Sequence, residues 1–126
     1  MHRLSIAAVA AVVLAAVVGV SSASAHASLT TCSIKNYEVF TVKTAPKTIK
    51  AFFAEPLDPA KSWINVYEGQ ADHGLVNDKT HSQVAGPKEL TLKLPKLGKE
   101  KYYMIWYTHS AADGHFAAGI VYFTVK

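Results

Sequence analysis

The chain has 126 residues, half of them hydrophobic, with 13 Lys and Arg against 9 Asp and Glu and a formal net charge of +4. That is enough for one small domain and not for several. Its only arginine is Arg3 and its lysines are scattered from Lys35 to Lys126, which argues against nucleic-acid recognition, where bidentate guanidinium contacts dominate. The single cysteine, Cys32, cannot close an intrachain disulfide and reads first as a small apolar filler, with a reactive thiol, an intermolecular bridge or a thiolate metal ligand as the alternatives.

At the start, Met1-His2-Arg3 precedes an apolar run from Leu4 to Val20, broken only by Ser5 and Gly19, and then Ser21-Ser22 and Ala23-Ser24-Ala25. A short basic start, an apolar middle and a small-residue end are the pattern of a secretory signal peptide. The expected division is therefore a signal peptide over 1–25 and one domain over 26–126, with cleavage between Ala25 and His26 and no membrane attachment afterwards. The cut matters chemically. It gives His26 a free α-amine beside its imidazole, so that one residue offers two nitrogens to one metal ion.

From Ser28 onward the pattern is period two and rich in β-branched and aromatic residues, which predicts strands. Tyr37–Val42, Thr48–Phe53 and Trp63–Tyr67 are three of them, separated by Ala45-Pro46 and by Glu55-Pro56-Leu57-Asp58-Pro59, since proline interrupts a strand ladder. Alternation puts Trp63, Asn65 and Tyr67 on one face and Ile64 and Val66 on the other. Gly69 to Pro87 is polar and turn-rich, with short strands expected near Leu75-Val76 and Ser82–Val84. Glu89–Leu94, Lys101–Thr108 and Phe116–Val125 complete the set. Seven to nine short strands without helical periodicity predict an all-β, small antiparallel sandwich or barrel.

Between the last two strands stands Ser110-Ala111-Ala112-Asp113-Gly114-His115. Gly114 permits a turn, and Asp113 and His115 flank it, so both side chains can point the same way. With His26 they supply two imidazoles, one amine and one carboxylate, a donor set suited to tetragonal Cu(II). Of the other histidines, His73 and His81 read as solvated loop residues, and His109 as a core residue or a support for the ligands. Ser110 lacks the glycines of a nucleophile elbow, which argues against a hydrolase.

Several blocks together resemble a known family: His26-Ala27-Ser28-Leu29, Ala45-Pro46-Lys47-Thr48-Ile49, Phe53-Ala54-Glu55-Pro56-Leu57, Leu90-Thr91-Leu92, Ala112 to Gly119 and Tyr122-Phe123-Thr124-Val125. In order and in content they are similar to the CopC family of periplasmic copper-resistance proteins. The resemblance implies a Greek-key β-barrel with an immunoglobulin-like, cupredoxin-like look. It also implies a Cu(II) site made of His26, Asp113 and His115, with Glu55 carried as an outer or weak ligand only. Phe116 stands where the family usually has proline, and Ser33-Ile34-Lys35-Asn36 replaces an early turn. The one methionine beyond the leader, Met104, argues against a thioether Cu(I) site.

The function so implied is an exported, periplasmic carrier or buffer of Cu(II) without turnover, delivering copper to an inner-membrane transporter of the CopD type. Two rivals use overlapping ligands. A histidine-brace copper monooxygenase would leave open the position that Asp113 fills, and it would need a flat aromatic substrate face, for which 101 residues leave little room. A zinc-binding sandwich would favour tetrahedral geometry.

Overall fold

The computed structural model describes residues 27–69 and 74–126. The expected signal peptide, its cleavage site at Ala25 and His26, and the loop histidine His73 lie outside the described residues. Eight strands run in chain order: β1 (Leu29–Cys32), β2 (Glu38–Phe40), β3 (Thr48–Phe53), β4 (Trp63–Glu68), β5 (Gln83–Gly86), β6 (Glu89–Lys93), β7 (Glu100–His109) and β8 (Phe116–Val125). Among the described residues there is no helix.

They form two four-stranded sheets, ordered β1-β3-β6-β5 and β2-β8-β7-β4. The alternating residues of β3, β4, β6, β7 and β8 explain the layering, because each strand has one buried and one more open face. Ile49, Ala51, Phe53, Leu90 and Leu92 of the first sheet meet Ile64, Val66, Met104, Trp106, Val121 and Phe123 of the second in a single core. The order matches the two sheets of an immunoglobulin-type sandwich: β1-β3-β6-β5 as one, β4-β7-β8 as the other, with β2 added beside β8. That expectation of the sequence holds, with one difference. The pairing of β2 with β8 is parallel, so the second sheet is mixed rather than wholly antiparallel.

Two details fix the register of β7. Tyr102, buried near its start, donates its hydroxyl to the carbonyl of Gly98 at 2.9 Å, the tyrosine-corner arrangement of such sandwiches. Further along, Trp106 pairs with Gly119 of β8. A Cβ on Gly119 would lie 2.6 Å from the Trp106 ring, so the indole lies over bare backbone and packs edge-on against Phe53, 5.7 Å between centroids.

The structure trims several expected strands for identifiable reasons. Tyr37 adopts φ 64°, the left-handed region that bulky residues rarely take, and its N–H donates to the Tyr122 carbonyl; β2 therefore begins only at Glu38. It ends at Phe40 because the Thr44 hydroxyl takes the Thr41 N–H at 2.9 Å in a tight turn. Leu75 forms an isolated bridge to Tyr67 and Val76 donates its N–H to the Val66 carbonyl, without a strand forming. There the buried Asn77 accepts the Val66 N–H at 2.8 Å through its side chain, substituting for a strand partner. Cys32 is half-buried and packs against the core, and burial pushes its thiol pKa up, as suits a filler rather than a reactive thiolate.

Gly119→Ala is expected to destabilise the fold by about 1–3 kcal/mol, because the added methyl must displace a packed indole. Tyr102→Phe should cost about 1 kcal/mol through its lost hydrogen bond. Urea unfolding followed by tryptophan fluorescence measures both, and the alanine variant should also shift the native emission.

Candidate metal centre

The β7–β8 hairpin ends with His109 paired to Phe116, and the six residues between them fold back on themselves. The Ser110 N–H donates to the His115 carbonyl and the Gly114 N–H to the Ser110 carbonyl, both at 2.9 Å. Gly114 sits at φ 75°, where a side chain would be strained. With the chain so turned, Asp113 and His115 emerge together. Oδ1 of Asp113 accepts the His115 N–H at 3.0 Å, and Oδ2 lies 3.0 Å from His115 Nδ1. A neutral ring that donates from Nδ1 carries its lone pair on Nε2, the arrangement in which a carboxylate orients an imidazole toward a metal.

The His115 ring hydrogen bond, then the His115 backbone N–H, hold the Asp113 carboxyl below the usual aspartate range. The linkage has a definite sign: a depressed carboxyl pKa contributes stability above the unfolded value, and that contribution is lost as pH falls through the folded one. The pair is solvent-exposed, so the effect on global stability is small.

Glu55 reaches the same end of the sandwich by a different route. The proline-broken stretch after β3 runs along the end of β7: the Asp58 N–H donates to His109 O at 2.8 Å, and the Ala111 N–H to Pro56 O at 2.9 Å. This sets Glu55 Oε1 3.0 Å from the Ser110 hydroxyl, which donates to it. The same hydroxyl exerts the smallest of the pulls on Asp113. Glu55 thus faces the turn as the acceptor of a serine.

His109 is a support. Its Nδ1 lies 3.2 Å from the Gly114 carbonyl and its Nε2 3.1 Å from the Tyr107 hydroxyl. The carbonyl can only accept, so Nδ1 carries a proton, and in the neutral ring Nε2 accepts from tyrosine. His81, by contrast, lies in the loop before β5. Met104 is fully buried in the core.

Two hydrogen-bonding roles at this end of the sandwich escaped the sequence reading. One is that of Ser110, the donor to Glu55. The other is that of Thr108, fully buried, whose hydroxyl donates to the equally buried Ala27 carbonyl at 2.7 Å. The signal for Thr108 was present: it shares the inward parity of Tyr102, Met104 and Trp106, and a lone hydroxyl on an inward face needs a partner. Among the described residues, no three His, Cys, Asp or Glu side chains come together as a metal site.

The second sheet gathers more aromatic side chains than the chain's length suggests, although the rings stack on one another rather than lying flat. The outer face of the second sheet carries a ladder in which Trp63 stacks on Tyr107, Tyr67 on Tyr103 and Tyr37 on Tyr122, at 5.4, 5.4 and 5.6 Å. Cross-strand pairing forces this: Trp63 faces Tyr107 and Tyr67 faces Tyr103 in register.

Comparisons with known proteins agree with this architecture. The family model described as the CopC domain matches residues 35–126. Among solved structures, CopC from Methylosinus trichosporium OB3b is 30% identical, with a TM-score of 0.67 over 80% of this chain and 94% of that one. PcoC, a methionine-rich copper resistance protein from Escherichia coli, is 24% identical, with a TM-score of 0.66 over 81% of this chain and 100% of that one. A search of curated protein sequences found no match.

The Asp113 carboxyl, followed by NMR in the metal-free protein, should titrate below the ordinary 3.8. His115→Ala should return it toward that value. An Asp113 midpoint that ignores the loss of the ring would contradict the pair.

Proposed function

The chain belongs to the CopC domain family, and from that premise we propose that it is an exported Cu(II)-binding protein. It carries or buffers copper in the periplasm without turnover and hands the ion to an inner-membrane transporter of the CopD type. The names of its structural relatives, one of them a copper resistance protein, support copper as the cargo. The proposed ligands are the amine and imidazole of His26, freed by cleavage after Ala25, with His115 and Asp113. Glu55 is the outer group.

One observation carries this reading. The Thr108 hydroxyl grips the Ala27 carbonyl in the interior at 2.7 Å, and Thr108 is the neighbour of His109, at the foot of the turn that bears Asp113 and His115. A residue bonded to Ala27 has its Cα only ~3.8 Å from that of Ala27. The start of the exported domain is therefore tethered at the same end of the sandwich as the turn. A loose N-terminus would have no reason to be held by a buried hydroxyl far from its partners.

In this arrangement the chain's own groups divide the work. Asp113 orients the His115 ring and offers a charged oxygen, and His109 holds the Gly114 carbonyl so that the turn keeps its shape. Copper supplies no chemistry here beyond its preference for nitrogen-rich tetragonal ligation. Oxygen activation would need an open position, which the Asp113 carboxylate is suited to fill.

Three tests follow from the ligand set. Thr108→Val keeps the shape of the side chain but drops the hydroxyl. It should weaken Cu(II) binding by about 10–100-fold, the usual cost of losing a group that orients a ligand, while the domain stays folded by circular dichroism. His115→Ala and Asp113→Asn should weaken binding as well, whereas His73→Ala and His81→Ala should not; competition titration with a chelator measures all four. An extra residue placed before His26, which converts its amine to an amide, should lower affinity by orders of magnitude and change the Cu(II) electron paramagnetic resonance spectrum. Unchanged affinity in that extended protein would sink the amine ligand.

The pH dependence has a definite sign. Protons compete for the ligand nitrogens, whose ordinary pKa values are ~7.7–8.0 for the amine and ~6.5 for each imidazole. Apparent affinity should then fall steeply from about pH 7 to about pH 5, by up to roughly tenfold per unit for each nitrogen protonated in the free protein. A flat profile over that range would point instead to a site of carboxylates.

A further inference from the structure

The outer face of the β2-β8-β7-β4 sheet is unlike the outside of an ordinary sandwich, where polar residues alternate outward. The outward positions of β4, β7 and β8 carry a single charged residue, Lys101 near the start of β7, in a chain that is 17% charged. Tyr37 is 72% exposed, Phe116 61%, Ile120 47% and Tyr122 42%, and Val39 and Trp63 add to the same face. From the ~150–250 Å² that an aromatic side chain can bury, these leave on the order of 600 Å² of apolar surface open. That is the upper limit of what a soluble monomer usually exposes, about 300–600 Å². It approaches the ~800 Å² that each partner contributes to a standard interface.

We propose that this face is the contact between two copies of the chain, packed sheet on sheet about a two-fold axis. Charge decides between occupants. A dissimilar partner is ordinarily selected by complementary charge, and this face offers only Lys101, at one end. Two copies of a basic protein, conversely, meet best where few like charges are juxtaposed, and from Tyr103 to His109 this face has none. The stacking also matters. Trp63 and Tyr107, Tyr67 and Tyr103, and Tyr37 and Tyr122 use ring faces on one another, so the ladder presents edges and ridges. Ridges interdigitate with a second sheet across ~10 Å, as the inner faces of a sandwich do. A glycan would instead need open ring faces. The proposal is independent of the copper reading, because the face is built by strand register alone.

The test is sedimentation of the purified protein, expressed from its full coding sequence, from about 1 to about 500 µM, a range that reaches the weak end of interfaces of this size. The wild type should shift from monomer to dimer with concentration. Ile120→Lys should raise the dissociation constant by more than about tenfold, since it buries an unpaired charge. Tyr37→Asn removes an exposed ring while suiting the left-handed backbone there, and it provides the same readout should the lysine variant misfold. Val84→Lys, on the opposite sheet, should dimerise as the wild type does. A wild type that stays monomeric throughout, folded face variants that associate normally, or dissociation by Val84→Lys alone would overturn the proposal. So would retention of a monomeric wild type on insoluble polysaccharide that Ile120→Lys abolishes, which would give the face to a glycan.

Discussion

The pairing of β7 with β8 is the constraint on which the molecule depends. Ten residue pairs run without a break from Glu100–Val125 to His109–Phe116, and a slip of one would turn every side chain to the wrong face. Gly119 under Trp106 fixes the register, because no other pairing gives the indole a position without a side chain beneath it. With that phase set, Tyr102, Met104, Trp106 and Thr108 face the core, while Tyr103, Tyr107 and His109 face out. β4 docks on one side of the hairpin and β2 on the other. Core, aromatic face and functional tip are three consequences of one register.

The tip does little for stability. Its Asp113–His115 pair is open to solvent, where ion pairs contribute little, and its loop hydrogen bonds are local. The energy of the fold lies in the apolar core between the sheets. Under the proposed function, this separation lets the turn rearrange around an ion without unfolding the sandwich. Thr108 is the point where core and tip meet, since with a single hydroxyl it satisfies the buried Ala27 carbonyl at the foot of the turn.

Much of this was legible in the residues. Clean alternation in Thr48–Phe53, Trp63–Tyr67 and Glu89–Leu94 located β3, β4 and β6 to within a residue or so at either end, because burial on one face imposes a period of two. The turn between Asp113 and His115 was legible because one glycine fixes so short a loop. The strand Tyr37–Val42 shrank to three residues because long-range bonds to Tyr122 decide Tyr37 and Asn36, and no local pattern announces them. The parallel pairing of β2 was hidden for the same reason. Leu75-Val76 failed as a strand because a buried asparagine supplied its partner through a side chain. The aromatic face was in plain view as Trp63, Tyr67, Tyr103, Tyr107 and Tyr122. Arguing from chain length missed that one sheet of four strands is broad enough to gather them.

The site's two halves lie far apart in the chain: the Thr108–Ala27 bond joins residues 81 positions apart. Under the proposed function, two separate events must precede tight binding. Folding must bring the chain start to the hairpin tip, and cleavage must free the amine of His26. Before export the nitrogen is an amide within the peptide chain and not a basic donor. The unfolded chain offers only scattered imidazoles and carboxylates. Copper therefore binds the folded, processed form in preference to every precursor, and by mass action it stabilises that form alone. On that proposal, affinity is confined to the compartment where the ion is handled, because the last ligand is made by the step that delivers the protein there.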